Sequence, residues 1–334
     1  MTEPRFLVVR LGSLGDIVHA FPAVSGLRNS LPSAEIIWLT HPKWEFIVKS
    51  SGLASEVWTV DTRNWSSVRS VLDRLRRHRF ETAIDYQGLW KSATIPLLAR
   101  IPRRIGFSSE SVREVGVPLL YTERVRVVPG KHVADQNGEL SVRAGASAAV
   151  GPVTLKVPDE DDKILRARIE TEGIIDDYIV LSPGGGWRSK CWPAERYGLL
   201  AAKVFEEFGI RSVINVGPGE EDLAATVIRS AGVAQPLLFS GSLGQLMALL
   251  RNASVVVAGD TGPLHLADAL GAKVIAIFGP TDPQRNGPYR KLGIVLRWDG
   301  ATTTYKRGSE SHESLLHITV DEVLKALRAL REAA

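Results

Sequence analysis

The chain has 334 residues, a mass of 36.4 kDa and a formal net charge of +4 at pH 7. This length exceeds one hydrophobic core of ordinary size and predicts two domains. Hydrophobic residues make up 44% and charged residues 23%, as in soluble globular proteins, and no run approaches the ~18 apolar residues that a membrane span needs. The first residues predict a strand rather than a signal peptide, and the single cysteine, Cys191, excludes an internal disulfide, so we expect a cytoplasmic protein.

Strand and helix patterns alternate along the first half. A strand is predicted over residues 5–11, then a turn with two glycines, then a helix over 17–31 despite its early proline. The other strands of this half are predicted over 35–39, 56–60, 82–86 and 104–107, with helical patterns around Phe46, Val71 and Ala93. Residues 116–152 give no assignable pattern, and 157–163 resemble a junction that leads into a helix ending at Gly173.

The second half repeats this alternation. Its strands are predicted over 178–181, 212–216, 236–239, 255–258 and 274–278, and its helices over 193–208, 220–231, 243–252 and up to Gly271. Two successive α/β halves predict two Rossmann-like domains that face a cleft, with boundaries at 1–157 and 158–317. Residues 318–334 carry an apolar helical stripe, and we expect this helix to pack back toward the first domain.

The turn after the first strand contains Gly12, Gly15 and Asp16. It lies at the carboxyl end of a strand, where open α/β sheets bind ligands. It is not G-x-G-x-x-G, and the chain has no G-x-x-x-x-G-K-[ST], so neither a dinucleotide site nor a P-loop is indicated. Asp16 is therefore either a helix N-cap or a general base over the cleft.

Residues 254–283 predict a strand–helix–strand unit whose first turn holds Asp260, Thr261 and Gly262. The first N–H groups of the helix, the hydroxyl of Thr261 and the close approach that Gly262 permits would suit a diphosphate. His265 follows about one helical turn later and shares the face toward that anion. A plain N-cap is the competing interpretation.

The loop SPGGGWRSKCWP, residues 182–193, is a second candidate phosphate site. Its glycines, which include Gly185 and Gly186, expose backbone N–H groups, and Arg188 and Lys190 add positive charge beside them. This combination fits a leaving diphosphate without a metal ion. A solvated surface loop is the alternative.

Several acidic and histidine residues are candidates for binding a ribose or a metal ion. Glu220 or Glu221, after the next strand, could accept hydrogen bonds from ribose hydroxyls, although acidic residues also favour a first helical turn. The D-x-D match at 159–161 is interpreted as helix capping, and His312 and His317 as surface residues. No metal and no cofactor are predicted.

Arginines are concentrated in the first half, from Arg63 to Arg126. They form either a solvated helix face or a surface for an anionic partner such as a phospholipid or a phosphorylated glycolipid. No nucleic-acid-binding signature accompanies them, so nucleic acid is not expected as a partner.

These motifs together resemble the lipopolysaccharide heptosyltransferase family, glycosyltransferase family 9. The resemblance rests on LVVRLGSLGDIVHAFPA, AIDYQGLWKSA, KCWP, GDTGPLHLADALG and FGPTDP, which are spread over most of the chain. It implies a GT-B fold, an ADP-heptose donor on the C-terminal domain and an anionic glycolipid acceptor, Kdo-lipid A or inner core, on the N-terminal one. One departure concerns the acceptor: the basic residue expected shortly after His132 is replaced by the stretch 134–136, ADQ.

Carried over by position, the resemblance makes Asp16 the general base and assigns Ser13, Gly15, Lys91 and Arg113 to the acceptor. The residues assigned to the donor are Gly185, Gly186, Lys190, Glu220, Glu221, Asp260, Thr261, Gly262 and His265.

We therefore expect an inverting, metal-independent glycosyltransferase that moves a heptose from ADP-L-glycero-D-manno-heptose to the Kdo/heptose inner core of lipopolysaccharide. The expected location is the cytoplasm, at the inner face of the inner membrane, with that membrane surface as a partner. Two alternatives stay open at this point. One is a nucleotide-sugar epimerase of the same fold, which needs further carboxylates and a histidine; the other is a non-catalytic nucleotide-sugar-binding protein, in which Asp16 only caps a helix.

Overall fold

The computed structural model describes residues 3–174 and 177–332. The chain divides into two compact units, residues 1–156 and 157–334. Each unit contains one six-stranded, all-parallel sheet with helices in the crossover connections. This arrangement confirms the prediction of two Rossmann-like α/β domains.

The sheet of the first unit has the order β3-β2-β1-β4-β5-β6. Its strands are β1 (Arg5–Val9), β2 (Glu35–Thr40), β3 (Glu56–Thr59), β4 (Thr82–Asp85), β5 (Arg103–Phe107) and β6 (Glu123–Val125). The central strands are continuous apolar runs because both faces of a parallel sheet are covered by helices. The strand order reverses between β1 and β4, where Val9 pairs with Asp85. Ligands of such sheets bind beyond the carboxyl ends of the strands at this reversal.

Among residues 3–156, five α-helices lie between these strands and a sixth follows β6. They are α1 (Leu14–Val18), α2 (Phe21–Ser30), α3 (Glu45–Ser50), α4 (Trp65–His78), α5 (Trp90–Leu98) and α6 (Val133–Ala144). The single helix predicted over 17–31 is wrong, because α1 and α2 are separate helices. Pro22 lies in the first turn of α2 and has no N–H with which to continue the hydrogen bonds of α1.

The sheet of the second unit has the order β12-β11-β10-β7-β8-β9. Its strands are β7 (Ile179–Ser182), β8 (Ser212–Asn215), β9 (Leu237–Phe239), β10 (Val255–Gly259), β11 (Val274–Phe278) and β12 (Gly293–Arg297). Here the strand order reverses between β7 and β10, where Ser182 pairs with Ala258. The loops that follow these two strands, from 183 and from 260, are the ones predicted to hold a diphosphate.

The helices of the second unit are α7 (Asp159–Thr171), α8 (Ala194–Phe208), α9 (Glu221–Ala231), α10 (Leu243–Asn252), α11 (Gly262–Leu270), α12 (Pro283–Asn286), α13 (Glu313–Leu316) and α14 (Val320–Glu332). The apolar stripe of α14 contributes Val323, Leu324 and Leu327 to the core of the second unit. Ion pairs from Lys203 to Asp321 and from Arg328 to Glu207 also join α14 to α8. The packing of α14 toward the first domain stays a prediction.

No helix within residues 3–174 and 177–332 is long and apolar enough to cross a membrane.

Candidate active site

The turn between β10 and α11 offers unpaired hydrogen-bond donors. Thr261 occupies the N-cap position of α11, yet its side chain makes no capping hydrogen bond. The Thr261 hydroxyl is buried and has no hydrogen-bond partner in the part of the chain that the structure describes. Pro263 has no N–H, so Gly262 and Leu264 supply the first backbone donors of the helix. The turn is therefore not explained as a plain side-chain cap and retains donors for an anion.

A largely buried ion cluster lies beside this turn. The Lys190 ammonium is 2.6 Å from Oδ2 of Asp260 and also donates to the Asp260 carbonyl at 3.2 Å. Nε2 of His265 is 3.1 Å from Oδ1 of the same carboxylate. Burial alone would raise the pKa of Asp260, but His265 and Lys190 hold it well below its usual range. Asp260 is thus an anion whose two oxygens face the two basic side chains.

The glycine-rich loop after β7 packs onto the same turn. A Cβ added at Gly185 would lie 2.9 Å from Sγ of Cys191 and 3.5 Å from Cγ2 of Thr261, so little more than a hydrogen fits there. A Cβ at Gly186 would meet open space. The chain therefore brings the backbone of Gly185 next to the unpaired hydroxyl residue and leaves Gly186 facing outward.

The two glutamates after β8 occupy different environments. Glu220 accepts a hydrogen bond from the N–H of Gly217 at 2.7 Å, and its carboxylate would be 2.2 Å from a Cβ placed on Gly184. Glu221 is exposed and accepts from the N–H of Gly219 at 3.1 Å. The structure thus groups Glu220 with the glycine loop and leaves Glu221 at the surface of the helix start.

Asp16 is tied to its own turn in the first unit. Its Oδ2 accepts from the N–H and the hydroxyl of Ser13 at 3.0 and 2.9 Å, which completes a capping box at the start of α1. Its Oδ1 is 2.7 Å from the guanidinium of Arg10, while 46% of the Asp16 side chain stays exposed. Partial burial would raise the pKa of Asp16, but Arg10, the Ser13 hydrogen bonds and Arg113 together lower it. Ser13, not Asp16, is thus the N-cap of α1; Asp16 is the third helical residue, and its carboxylate is ionised and partly exposed.

Lys91 and Arg113, two of the residues predicted for the acceptor, lie in segments that a hydrogen bond joins. Arg113 lies near enough to Asp16 to lower the pKa of its carboxyl group. The next residue, Glu114, accepts a hydrogen bond from the N–H of Trp90 at 2.6 Å, which joins the 113–114 segment to the start of α5. Lys91, the second residue of α5, is exposed at this junction. Gly15 is buried within α1.

The D-x-D motif lies at a helix start, and Cys191 is buried. Asp159, Glu160 and Asp161 lie in the first turn of α7, and Asp161 accepts from the hydroxyl of Ser242 at 2.9 Å. Burial raises the pKa of the Cys191 thiol to about 11, as for a packed cysteine. No group of three or more histidine, cysteine, aspartate or glutamate side chains positioned for a metal ion occurs among residues 3–174 and 177–332.

Comparison with known proteins identifies the family. The sequence model of glycosyltransferase family 9 (heptosyltransferase) matches residues 68–315. The chain belongs to this family. Lipopolysaccharide heptosyltransferase 1 of Escherichia coli K12 is 25% identical over 98% of this chain and 100% of its own length. This family 9 protein is therefore a glycosyltransferase.

Two solved structures share the fold. E. coli ADP-heptose lipopolysaccharide heptosyltransferase II superposes with a TM-score of 0.83 at 22% identity, covering 99% of this chain and 100% of that one. E. coli heptosyltransferase WaaC, solved with ADP, gives a TM-score of 0.78 at 24% identity over 98% and 99%. These likenesses confirm the GT-B heptosyltransferase fold for the family 9 chain.

Sequence reasoning missed three residues at the sites of this glycosyltransferase. Arg10 lies inside an apolar strand pattern, yet its guanidinium faces Asp16. The ring of Trp187 lies against the Lys190 ammonium, which is 4.2 Å from the ring centroid, a distance that suits a cation–π contact. Gly184 leaves the space that the Glu220 carboxylate occupies. Two signals in the sequence could have indicated them: Arg10 is a charged residue within an apolar run, and Trp187 directly follows the three glycines of the loop.

Proposed function

We propose that the protein transfers L-glycero-D-manno-heptose from ADP-heptose to the Kdo/heptose inner core of lipopolysaccharide, with inversion and without a metal ion. The observation that carries the proposal is the buried, unpaired hydroxyl of Thr261 next to the Lys190 ammonium and the first N–H groups of α11. Such donors suit a diphosphate leaving group. The relatives named as lipopolysaccharide heptosyltransferases, and the ADP in the solved WaaC structure, support this donor and this pathway.

The proposed reaction is a displacement in which negative charge develops on the ADP leaving group. An acceptor hydroxyl oxygen attacks the anomeric carbon as the bond from that carbon to the diphosphate oxygen breaks. Negative charge then grows on ADP, where Lys190, Thr261 and the helix N–H groups stabilise it. The acceptor proton passes to the carboxylate of Asp16, which acts as the general base. Attack opposite to the leaving group inverts the anomeric centre.

The acceptor is proposed to bind to the first unit. Arg113 supplies positive charge near Asp16, and Lys91 lies exposed at the start of α5, which the 113–114 segment contacts; both charges suit the carboxylate and phosphate groups of an inner-core acceptor. In the second unit, Glu220 is the better candidate for the ribose because its carboxylate lies over the glycine loop. Because the acceptor is anchored in lipid, the enzyme is proposed to work at the inner face of the inner membrane.

A mass-spectrometric transfer assay tests the proposal. ADP-heptose is offered with a panel of core acceptors truncated to Kdo-lipid A, to one heptose and to two. A mass increase of one heptose on at least one acceptor is expected, while UDP-heptose and GDP-heptose serve as matched donors with the wrong base. Transfer should persist in EDTA; activity lost to the chelator and restored by Mg²⁺ or Mn²⁺ would contradict the metal-independent mechanism.

A further inference from the structure

An exposed apolar cluster lies beside the acceptor residues of the first unit. Val115 is 94% exposed, Leu119 74% and Trp90 46%. A Cβ at Gly116 would be 3.1 Å from the ring of Trp90, and the N–H of Leu119 bonds to the carbonyl of Gly116, so the three side chains surround one glycine. We call Trp90, Val115 and Leu119 the apolar tip.

The apolar tip is held in place from below. Val117 is fully buried and packs with Ala93 of α5 and Tyr121. Leu119 therefore projects from a short 3₁₀ turn, Val117–Leu120, whose base is fixed in a small core. Large apolar side chains that are grouped, exposed and rigidly presented mark a docking surface more often than isolated ones do.

Positive charge surrounds the tip. The guanidinium of Arg124 donates to the carbonyl of Pro118 at 2.9 Å, and that of Arg104 donates to the carbonyl of Leu120 at 2.8 Å, so both arginines contact the turn that carries Leu119. Lys91 follows Trp90 directly. Between residues 90 and 126 the chain has seven basic and three acidic residues. Apolar side chains ringed by lysine and arginine are typical of proteins that dock on anionic lipid surfaces.

The tip is also continuous with the acceptor site. Arg113 acts on Asp16 electrostatically and is two residues from Val115. Trp90 is fixed to the same segment through its N–H bond to Glu114. A lipid-anchored substrate bound near Asp16 would therefore have its apolar end within reach of the tip.

We propose that the apolar tip is the surface by which this enzyme docks on an anionic lipid bilayer, with Val115 and Leu119 entering the headgroup region. The inference rests on the proposed function for the lipid-anchored acceptor. It assigns membrane binding to one defined surface, with Arg104 and Arg124 pairing with lipid phosphates.

Co-sedimentation with phosphatidylcholine vesicles, with and without phosphatidylglycerol, tests this assignment. The wild type should bind the anionic vesicles and release from them as NaCl is added, because the arginine contacts are screened. The double variant Val115→Glu/Leu119→Glu should lower vesicle affinity at least about tenfold, since it removes two apolar anchors and adds two repelled charges. Val233→Glu, at an 87% exposed valine of the second unit, is the matched control and should bind as the wild type.

Four outcomes overturn the inference. In the first, the wild type binds neither kind of vesicle; in the second, the double variant binds vesicles as well as the wild type does. In the third, Val233→Glu lowers vesicle binding as much as the double variant does. In the fourth, ultracentrifugation shows a wild-type dimer that is absent only from the double variant, so the tip is a dimer contact. Heptose transfer to a deacylated, water-soluble acceptor should be unchanged in the double variant. If the double variant loses vesicle binding while every protein still transfers heptose, the docking surface is supported independently of catalysis. If the wild type binds vesicles but transfers no heptose to any acceptor, the proposed function is refuted and the docking surface is not.

Discussion

Replacement of Thr261 by valine separates a ligand-binding hydroxyl from a structural one. The Thr261 hydroxyl is buried without a hydrogen-bond partner among the described residues, and an unsatisfied buried polar group costs about 1–3 kcal/mol. Valine has the same branched shape without that group, so Thr261→Val should raise the free energy of unfolding by about 1 kcal/mol. If the hydroxyl donates to the donor diphosphate, the lost charge-assisted bond, worth about 1.5–3 kcal/mol, should weaken ADP binding about 10- to 100-fold. Stability and affinity are thus expected to change in opposite directions.

Urea denaturation and calorimetric titration with ADP measure the two effects, and single-turnover transfer adds the rate. Thr261→Ser keeps a hydroxyl and should retain most of the affinity. Thr40→Val is the matched control: the Thr40 hydroxyl at the end of β2 is also buried without a partner in the described chain, so its loss should stabilise the protein and leave ADP binding unchanged. A Thr261→Val protein that is less stable than the wild type, or that binds ADP normally, would refute the assignment of this hydroxyl to the diphosphate.

Four further expectations concern the other site residues. Asp16→Asn should lower kcat by on the order of 10² to 10⁴ in single-turnover transfer while donor affinity stays near the wild-type value, and normal turnover in a folded variant would reduce Asp16 to a cap. Because the pKa of Asp16 is lowered, no acid limb from this group should appear in the pH–rate profile near neutrality; a limb there that Asp16→Asn abolishes would contradict this. Glu220→Gln should raise the Kd for ADP more than for adenine, whereas Glu221→Gln should not; equal effects would remove Glu220 from the ribose. Lys91→Ala and Arg113→Ala should raise acceptor KM far more than donor KM, and equal effects on both would place the acceptor elsewhere.

Strands and glycine turns could be predicted because their causes are local. A strand covered on both faces is apolar throughout, as in 255–258, and the turn that follows needs a residue without a side chain. Helix α6 was missed because its sequence contains Gly138, a poor helix former. The structure shows why a glycine is there: a Cβ would be 2.6 Å from the carbonyl of Ala149, which crosses the helix closely. Ala149 lies outside α6, so the hydrophobic periodicity of the helix sequence does not reveal this contact.

Two of the four edge strands, β6 and β12, were missed for a related reason. β6 has only three residues and β12 is half-buried, so neither forms the continuous apolar run by which central strands are recognised. At the candidate sites, residue types and turn positions indicated Lys190 and Thr261, but the partners of charged groups depend on packing. Arg10, directly after β1, pairs with Asp16 in α1 and lowers the pKa of its carboxyl group, a contact that the sequence pattern does not indicate.

Asp260 illustrates how such pairing changes the role given to a residue. Its position in the turn suggested direct donor binding, but a carboxylate with a depressed pKa stays negative and would repel a diphosphate. Both of its oxygens face basic side chains, Lys190 at 2.6 Å and His265 at 3.1 Å, so its effect on the donor passes through them. In the proposed donor site, Asp260 offsets much of the charge of Lys190. We therefore expect the hydroxyl of Thr261 and the N–H groups at the start of α11 to contribute directed hydrogen bonds to the diphosphate, beside an ammonium that the ion pair holds in place.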